Sequence, residues 1–156
     1  MNLYLALTDR LKTQHESIPV IIADVDRPGL EWHPSPGKWS IHDNIAHLAS
    51  YQPLFISRMN KIADQDAPVF ERYNADADPE FPGWQSRKTV DLVEQLFIDR
   101  ETILTLITGL RHKQLSRMGT HPKFGKMTII EWTEFFLLHE AHHLFTIFQL
   151  ARSEKA

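Results

Sequence analysis

The chain has 156 residues, of which 42% are hydrophobic, and it carries a net charge of −3 at pH 7. This length predicts one domain over residues 1–156, with a core that hides about two thirds of the unfolded surface. Because there is no cysteine, disulfides and thiolate ligands are excluded, and a metal site must use His, Asp or Glu. Lysine and arginine are scattered among the acidic residues without a basic stripe, which argues against nucleic-acid and membrane partners.

Four segments have the apolar spacing of amphipathic helices, and none has the sustained alternation that predicts a strand. They cover about Leu3–Val25, Ile41–Ala63, the residues after Thr89 up to Gly109, and Ile129–Arg152. Pro19 and Pro53 predict kinks in the first two, since proline removes an intrahelical hydrogen bond. The pattern predicts an all-α protein built as a helical bundle.

The connection between the second and third helices, Asp64–Lys88, is longer than is usual in a compact domain. It contains four aromatic residues, Phe70, Tyr73, Phe81 and Trp84. These side chains are expected either to pack on the mouth of the bundle or to contact a partner chain, with ordinary loop packing as the third possibility. The second possibility is one reason to expect a homodimer.

Polar residues mark the starts of two helices. Ser40 with Asp43, and Thr128 with Glu131, have the three-residue spacing of a capping box. Trp39, just before the first of these caps, is expected to be a core residue. Asp43 or Asn44 could also orient the ring of a histidine one turn later, although capping is the simpler role for Asp43.

His139 and His143 lie four residues apart in an apolar run, so a helix would bring both imidazoles to one face. His47, about two turns into the second helix, is the candidate for a third ligand. Three imidazoles with an open fourth position are typical of a catalytic zinc site, and nickel is a further candidate. The alternatives are His142 as second ligand instead of His143, and an ordinary hydrogen-bonded core role for His47.

The segment His139-Glu140-Ala141-His142-His143 also matches the H-E-x-x-H motif of metalloproteases, with Glu140 in the position of the base. The downstream third ligand of such enzymes is missing, since Thr146 and Gln149 occupy the positions where a Gly and a His are needed. Glu140 would point about 100° away from His139 around the helix, which favours a surface or outer-shell role. The other histidines are expected on the surface or in loops: His15, His33, His42, His112 and His121.

Three motifs in order give the chain a resemblance to the DinB/YfiT superfamily. They are Trp39-Ser40 after a Pro/Gly-rich loop, then His47-Leu48-Ala49, then His121-Pro122-Lys123-Phe124-Gly125 leading through Thr128 to His139 and His143. The resemblance implies a four-helix bundle in which His47, His139 and His143 bind a divalent ion. One departure is that Leu144, Phe145 and Thr146 follow the last histidine, where many relatives have a polar run.

The resemblance implies a metal-dependent enzyme, either a thiol-dependent S-transferase that uses a low-molecular-weight thiol or a hydrolase of another small molecule. The same chemistry follows from the ligands, because an ion held by neutral imidazoles keeps its charge and can activate a water or a thiol. The alternative is a non-catalytic metal-binding bundle that serves as an interaction protein. We further expect a cytoplasmic protein, since the first ten residues have no basic start before an apolar segment.

Overall fold

The computed structural model describes residues 3–153, and helices make up most of it. In chain order these are α1 (Leu5–Thr13), α2 (Ser17–Ile21), α3 (Arg27–Glu31), α4 (Ile41–Asp64), α5 (Phe81–Gln85), α6 (Thr89–Gly109), α7 (His112–Leu115) and α8 (Ile129–Ser153). Short 3₁₀ turns cover Gln14–Glu16 and Ala75–Ala77. The predicted all-α four-helix bundle is confirmed, with α1 and α2 together as its first member. None of the helices within residues 3–153 combines the length and the apolar character that a membrane span needs.

The second bundle helix, α4, packs between α6 and α8, and α1 packs against the same two helices from the other side. The buried apolar residues form two clusters that follow one another along α4 and α8. On α8 the first cluster ends at Leu137 and the second begins at Leu144. His139 and His143 therefore lie at the junction of the two apolar clusters, where a polar group needs a specific partner.

The first bundle helix is broken in two, whereas a single kinked helix was predicted. Pro19 cannot donate a hydrogen bond to the carbonyl four residues earlier, and its ring would collide with that carbonyl. The chain therefore leaves the α-helical path at Gln14–Glu16 and begins again at Ser17. At the break, Gln14 contacts α8, because its side-chain amide donates to the Leu137 carbonyl at 2.8 Å.

A β-hairpin precedes α8, and the prediction that no strands occur was wrong here. Strands β1 (Met118–His121) and β2 (Gly125–Thr128) pair antiparallel, with Gly125 at a φ of +75° where the turn closes. At four residues each, these strands are too short to show a period in the sequence. A side chain at Gly119 would lie 2.7 Å from Ile62 and 2.8 Å from Phe70, so glycine permits the close packing of the hairpin on the bundle.

The long connection packs on its own bundle. Its residue Val69 forms a parallel bridge with Thr120 of the hairpin, and the Phe70 N–H donates to the Thr120 carbonyl at 3.0 Å. Phe70 and Phe81 are buried, and Tyr73 is half-buried. Because these aromatic side chains are covered within the chain, they no longer argue for a partner, and the homodimer stays a prediction.

Candidate metal centre

The three predicted histidines come together between α4 and α8. The Nε2 atom of His139 lies 3.0 Å from Nε2 of His47 and 3.2 Å from Nε2 of His143. Their ligand atoms all lie within 4.8 Å of one another, and no other such group of His and acidic residues occurs in the described part of the chain. His143 is a member of this group, whereas the alternative ligand His142 has an exposed side chain.

All three imidazoles are held in the neutral form. Burial lowers the pKa of His47 to about 3 and that of His139 to about 4, with repulsion from a neighbouring imidazole as the second cause. Burial, followed by repulsion from the other histidines, lowers the pKa of His143 to about 2. Neutral imidazole is the form that binds a metal ion, so the site needs little deprotonation near pH 7.

Asn44 orients His143, although its expected partner was His47. The Nδ1 atom of His143 donates to Oδ1 of Asn44 at 2.8 Å, which leaves Nε2 as the free lone pair facing the other two rings. The Asn44 amide in turn donates to the Ser40 carbonyl at 2.7 Å. Ser40 and Asp43 form the predicted capping box, so the start of α4 and the orientation of His143 belong to one hydrogen-bonded unit.

The donor set fits a divalent ion that prefers nitrogen ligands. Metal–nitrogen distances of about 2.0–2.1 Å at tetrahedral zinc correspond to nitrogens about 3.3 Å apart. The observed 3.0 and 3.2 Å are close to this spacing. The Nδ1 atoms of His47 and His139 are buried and have no hydrogen-bond partner among residues 3–153, so no protein group fixes their tautomers. A shared ion at the Nε2 atoms would do so.

The three histidines border a cavity of about 310 Å³ with aromatic walls. The Tyr73 ring stacks on His47 at 5.9 Å between centroids, and the Tyr51 ring lies 4.8 Å from that of His139. Trp39, expected to be a core residue, is only partly buried; it packs against the second apolar cluster and also stacks over His143 at 6.0 Å. Aromatic rings therefore surround the imidazoles on the cavity side.

His121 was expected to be a surface or loop residue, but it lines the same cavity. Its Nδ1 atom accepts the backbone N–H groups of Lys123 at 3.1 Å and Phe124 at 3.2 Å, so the neutral ring carries its proton on Nε2. Burial, then the charges of Arg58 and Lys123, lower its pKa. The hairpin turn therefore presents a neutral imidazole at the rim of the site.

Glu140 was expected at the surface or in the outer shell of the metal, and both expectations were wrong. Its side chain is 1% exposed and forms an ion pair with Arg100 of α6, which is fully buried. Gln14 donates to its other oxygen at 2.9 Å. Because Glu140 points away from the three histidines into the bundle, it cannot serve as the base of an H-E-x-x-H site.

His15 belongs to the same ion-pair cluster and is buried, not exposed as predicted. Arg100 donates to its Nδ1 atom at 3.3 Å. Burial, and then the charge of Arg100, lower the pKa of His15 to about 4. No spacing in the sequence pairs His15 with Arg100, so only the folded chain could reveal this contact.

Comparisons with known proteins relate the sequence to one family. The sequence model of the DinB superfamily matches residues 10–147. The uncharacterised protein YuaE of Bacillus subtilis is 27% identical over 134 residues, covering 74% of this chain and 78% of YuaE.

Two solved structures from Bacillus subtilis share the fold. YfiT, described as a probable metal-dependent hydrolase with an unusual four-helix bundle topology, matches with a TM-score of 0.85 at 17% identity, over 96% of this chain and 86% of YfiT. The DinB-like protein YjoA matches with a TM-score of 0.62 at 14% identity, over 97% of this chain and 94% of YjoA. Because the family model matches most of its sequence, this chain belongs to the DinB superfamily. The two shared folds and the order of its motifs agree with this.

Proposed function

We propose that the protein binds one divalent ion through His47, His139 and His143 and is a metal-dependent enzyme acting on a small molecule. The observation that carries this proposal is the convergence of three neutral Nε2 atoms on one cavity. Imidazole ligands favour zinc or nickel among the available ions. The description of YfiT as a probable metal-dependent hydrolase supports the same class of activity.

A bound ion would supply Lewis-acid chemistry, lowering the pKa of a water or a thiol that reaches it. The residues of the chain do the rest. The three imidazoles are neutral, and among the described residues no carboxylate joins their group, so a bound ion would keep its full positive charge. Trp39, Tyr51 and Tyr73 line the cavity beside them, which has room for a ligand in about 310 Å³.

Two reactions are compatible with this arrangement. In a hydrolase the nucleophile is water, and in a thiol-dependent S-transferase it is the sulfur of a low-molecular-weight thiol. Both need an open position at the ion, and among the described residues no fourth His, Asp or Glu joins the group. A fourth protein ligand would instead have favoured a closed, structural site and the non-catalytic alternative.

The test is elemental analysis of the purified protein, followed by activity measurements on an ester panel and a panel of thiols with electrophilic acceptors. We expect about one divalent ion per chain. Activity should vanish on chelation and return when the metal is added back. A protein that binds no divalent ion would overturn the proposal. A metal-loaded protein that is inactive on both panels, and that unfolds on chelation, would favour the non-catalytic role.

A further inference from the structure

Arg58 is a buried cation at the wall of the cavity. Arg58 is only 6% exposed, and the groups that its guanidinium contacts are uncharged. One guanidinium nitrogen donates to the Tyr51 hydroxyl at 3.3 Å and another to the Glu71 carbonyl at 2.9 Å. The rings of Phe70 and Trp132 lie 5.4 and 5.6 Å from the guanidinium carbon. No carboxylate among residues 3–153 lies within 4.0 Å of it.

This lack of a counter-charge is unusual, because buried arginines are almost always paired. Contacts with aromatic faces recover only a part of the free energy that burying an ion costs. Within the same bundle, Arg100 is paired with Glu140 and also donates hydrogen bonds to two neutral acceptors. The neutral partners of Arg58 therefore fix the position of its guanidinium but leave its charge without an anion.

Arg58 lies on the same face of α4 as the metal-binding histidine. His47, Tyr51 and Arg58 are separated by four and seven residues, which is the spacing of one helical stripe. All three line the 310 Å³ cavity. Tyr51 lies between the other two, since its ring contacts His139 and its hydroxyl accepts from Arg58. One small molecule can therefore reach both the imidazoles and the guanidinium.

The rest of the cavity wall is also mostly positive. Arg72 and Lys123 also line the cavity, and the one acidic side chain in the described lining is Asp76. An oxygen of Asp76 already accepts the indole N–H of Trp39 at 3.1 Å. The lining is thus positive before any metal ion adds its charge, which favours an anionic ligand.

We infer that Arg58 recognises an anionic group, a carboxylate or a sulfonate or phosphate oxyanion, on the small molecule that meets the three histidines. This inference rests on the proposed function, because it assigns the ligand of the same site. The metal end of the cavity takes the reacting group, and the Arg58 end takes the anionic group. Tyr51 lies between the two ends, and its hydroxyl positions the guanidinium.

The test uses protein loaded with cobalt(II), whose visible absorption reports a thiolate ligand. Two pairs of thiols are titrated, 2-mercaptoethanesulfonate against 2-mercaptoethanol and 3-mercaptopropionate against 3-mercaptopropanamide. We expect the charged member of each pair to bind at least about tenfold more tightly, the gain typical of a hydrogen bond between charged groups. Arg58→Gln should remove most of this advantage and leave the affinity for the neutral thiols unchanged.

Arg117→Gln is the matched control. Like Arg58, Arg117 donates to backbone carbonyl groups, here those of Ile62 at 2.8 Å and Gln65 at 2.6 Å. Unlike Arg58, it also pairs with Asp66 at 3.1 Å, and it is not part of the cavity wall. It should keep the preference for charged thiols. Arg58→Lys should keep part of it, because the charge remains while the planar geometry is lost.

Several outcomes decide between anion recognition and a merely structural role. Equal losses for charged and neutral thiols in Arg58→Gln would overturn the inference. If that variant does not fold, the wild-type ratio decides, and a ratio near one would also overturn it. Failure of cobalt(II) to bind would refute the proposed function itself, whereas cobalt binding without a preference for charged thiols would refute only the role of Arg58.

Discussion

Two buried polar clusters flank α8, and they differ in how completely their groups are paired. On one side, Glu140 accepts from Arg100 and Gln14, and Arg100 also donates to Gln52 and to the Leu11 carbonyl. On the other side, buried nitrogens of His47 and His139 have no partner within residues 3–153, and Arg58 has no anion there. The first cluster is closed to the cavity, while the second lines it.

The difference shows which polar residues support the fold and which are available to a ligand. A fully paired buried network fixes the positions of the helices that carry it. Incompletely paired groups beside a cavity raise the free energy of the folded protein unless a ligand compensates them. His139 and Glu140 are neighbours in one sequence motif, but Glu140 belongs to the first cluster and His139 to the second. The motif alone could not separate them.

The largest expected effect is on the closed cluster. Glu140→Ala leaves the buried charge of Arg100 without its carboxylate, so the free energy of unfolding should fall by about 3–5 kcal/mol. Urea denaturation of the metal-free protein measures this. The double variant Arg100→Met with Glu140→Leu should recover much of the loss, because it removes both charges together. Wild-type stability in Glu140→Ala would contradict the assignment of this pair to the fold.

The next effect is on the open cluster. His139→Ala should reduce metal affinity by more than about 100-fold, since even an outer-shell partner is worth about 10–100-fold. Its effect on the stability of the metal-free protein should be smaller than that of Glu140→Ala. Competition with a chromophoric chelator measures the affinity. The exposed neighbour His142 provides the control, and His142→Ala should bind the ion as the wild type does. Full affinity in His139→Ala would remove the site.

Asn44 tests the link between the cap of α4 and the metal centre. Asn44→Ala removes the acceptor of the His143 N–H, so metal affinity should fall by about 10–100-fold. Asn44→Asp keeps an acceptor and should retain most of the affinity. Asn60, an exposed asparagine on the same helix, gives the matched control Asn60→Ala. The same chelator competition applies, and equal affinities in all four proteins would exclude Asn44 from the site.

The last effect concerns the pH dependence of the closed cluster. The pKa of His15 is lowered from 6.5 to about 4 in the folded state, so the unfolded chain binds this proton first as the pH falls. The resulting stability is present above pH 6.5 and is lost as the pH falls from about 6.5 towards 4, by at most about 1.4 kcal/mol per pH unit.

His15→Gln should make that pH dependence shallower in the metal-free protein, because glutamine does not titrate. Denaturation curves between pH 4 and pH 7 in the presence of a chelator measure the slope. An unchanged slope in His15→Gln would mean that the protonation of His15 does not cause this pH dependence of stability.

The helical spacing of apolar residues and the capping motifs predicted the fold well. The helices α4, α6 and α8 lie close to the predicted spans, and both capping boxes are present, including that of Thr128 with Glu131. The meeting of His47 with His139 and His143 followed from helix spacing and from the family resemblance. These features involve local spacing, which a sequence displays directly.

Contacts between distant segments were not predictable in the same way. The pairing of Arg100 with Glu140, the position of Arg58 at the cavity and the partner of Asn44 depend on how helices pack. The hairpin was missed because its strands are short and depend on packing against α4 and the long connection. Tertiary contacts of this kind leave no period in the sequence.

The first turn of α4 also affects how long an ion would stay bound. The Ser40 carbonyl accepts the backbone N–H of Asn44 at 3.2 Å and its side-chain amide at 2.7 Å. Helix ends open more often than helix interiors, and each opening of this turn would release His143 from its acceptor. The capping box of Ser40 and Asp43 makes such openings rarer. The residence time of a bound ion would thus be coupled to the fraying rate of a single helical turn.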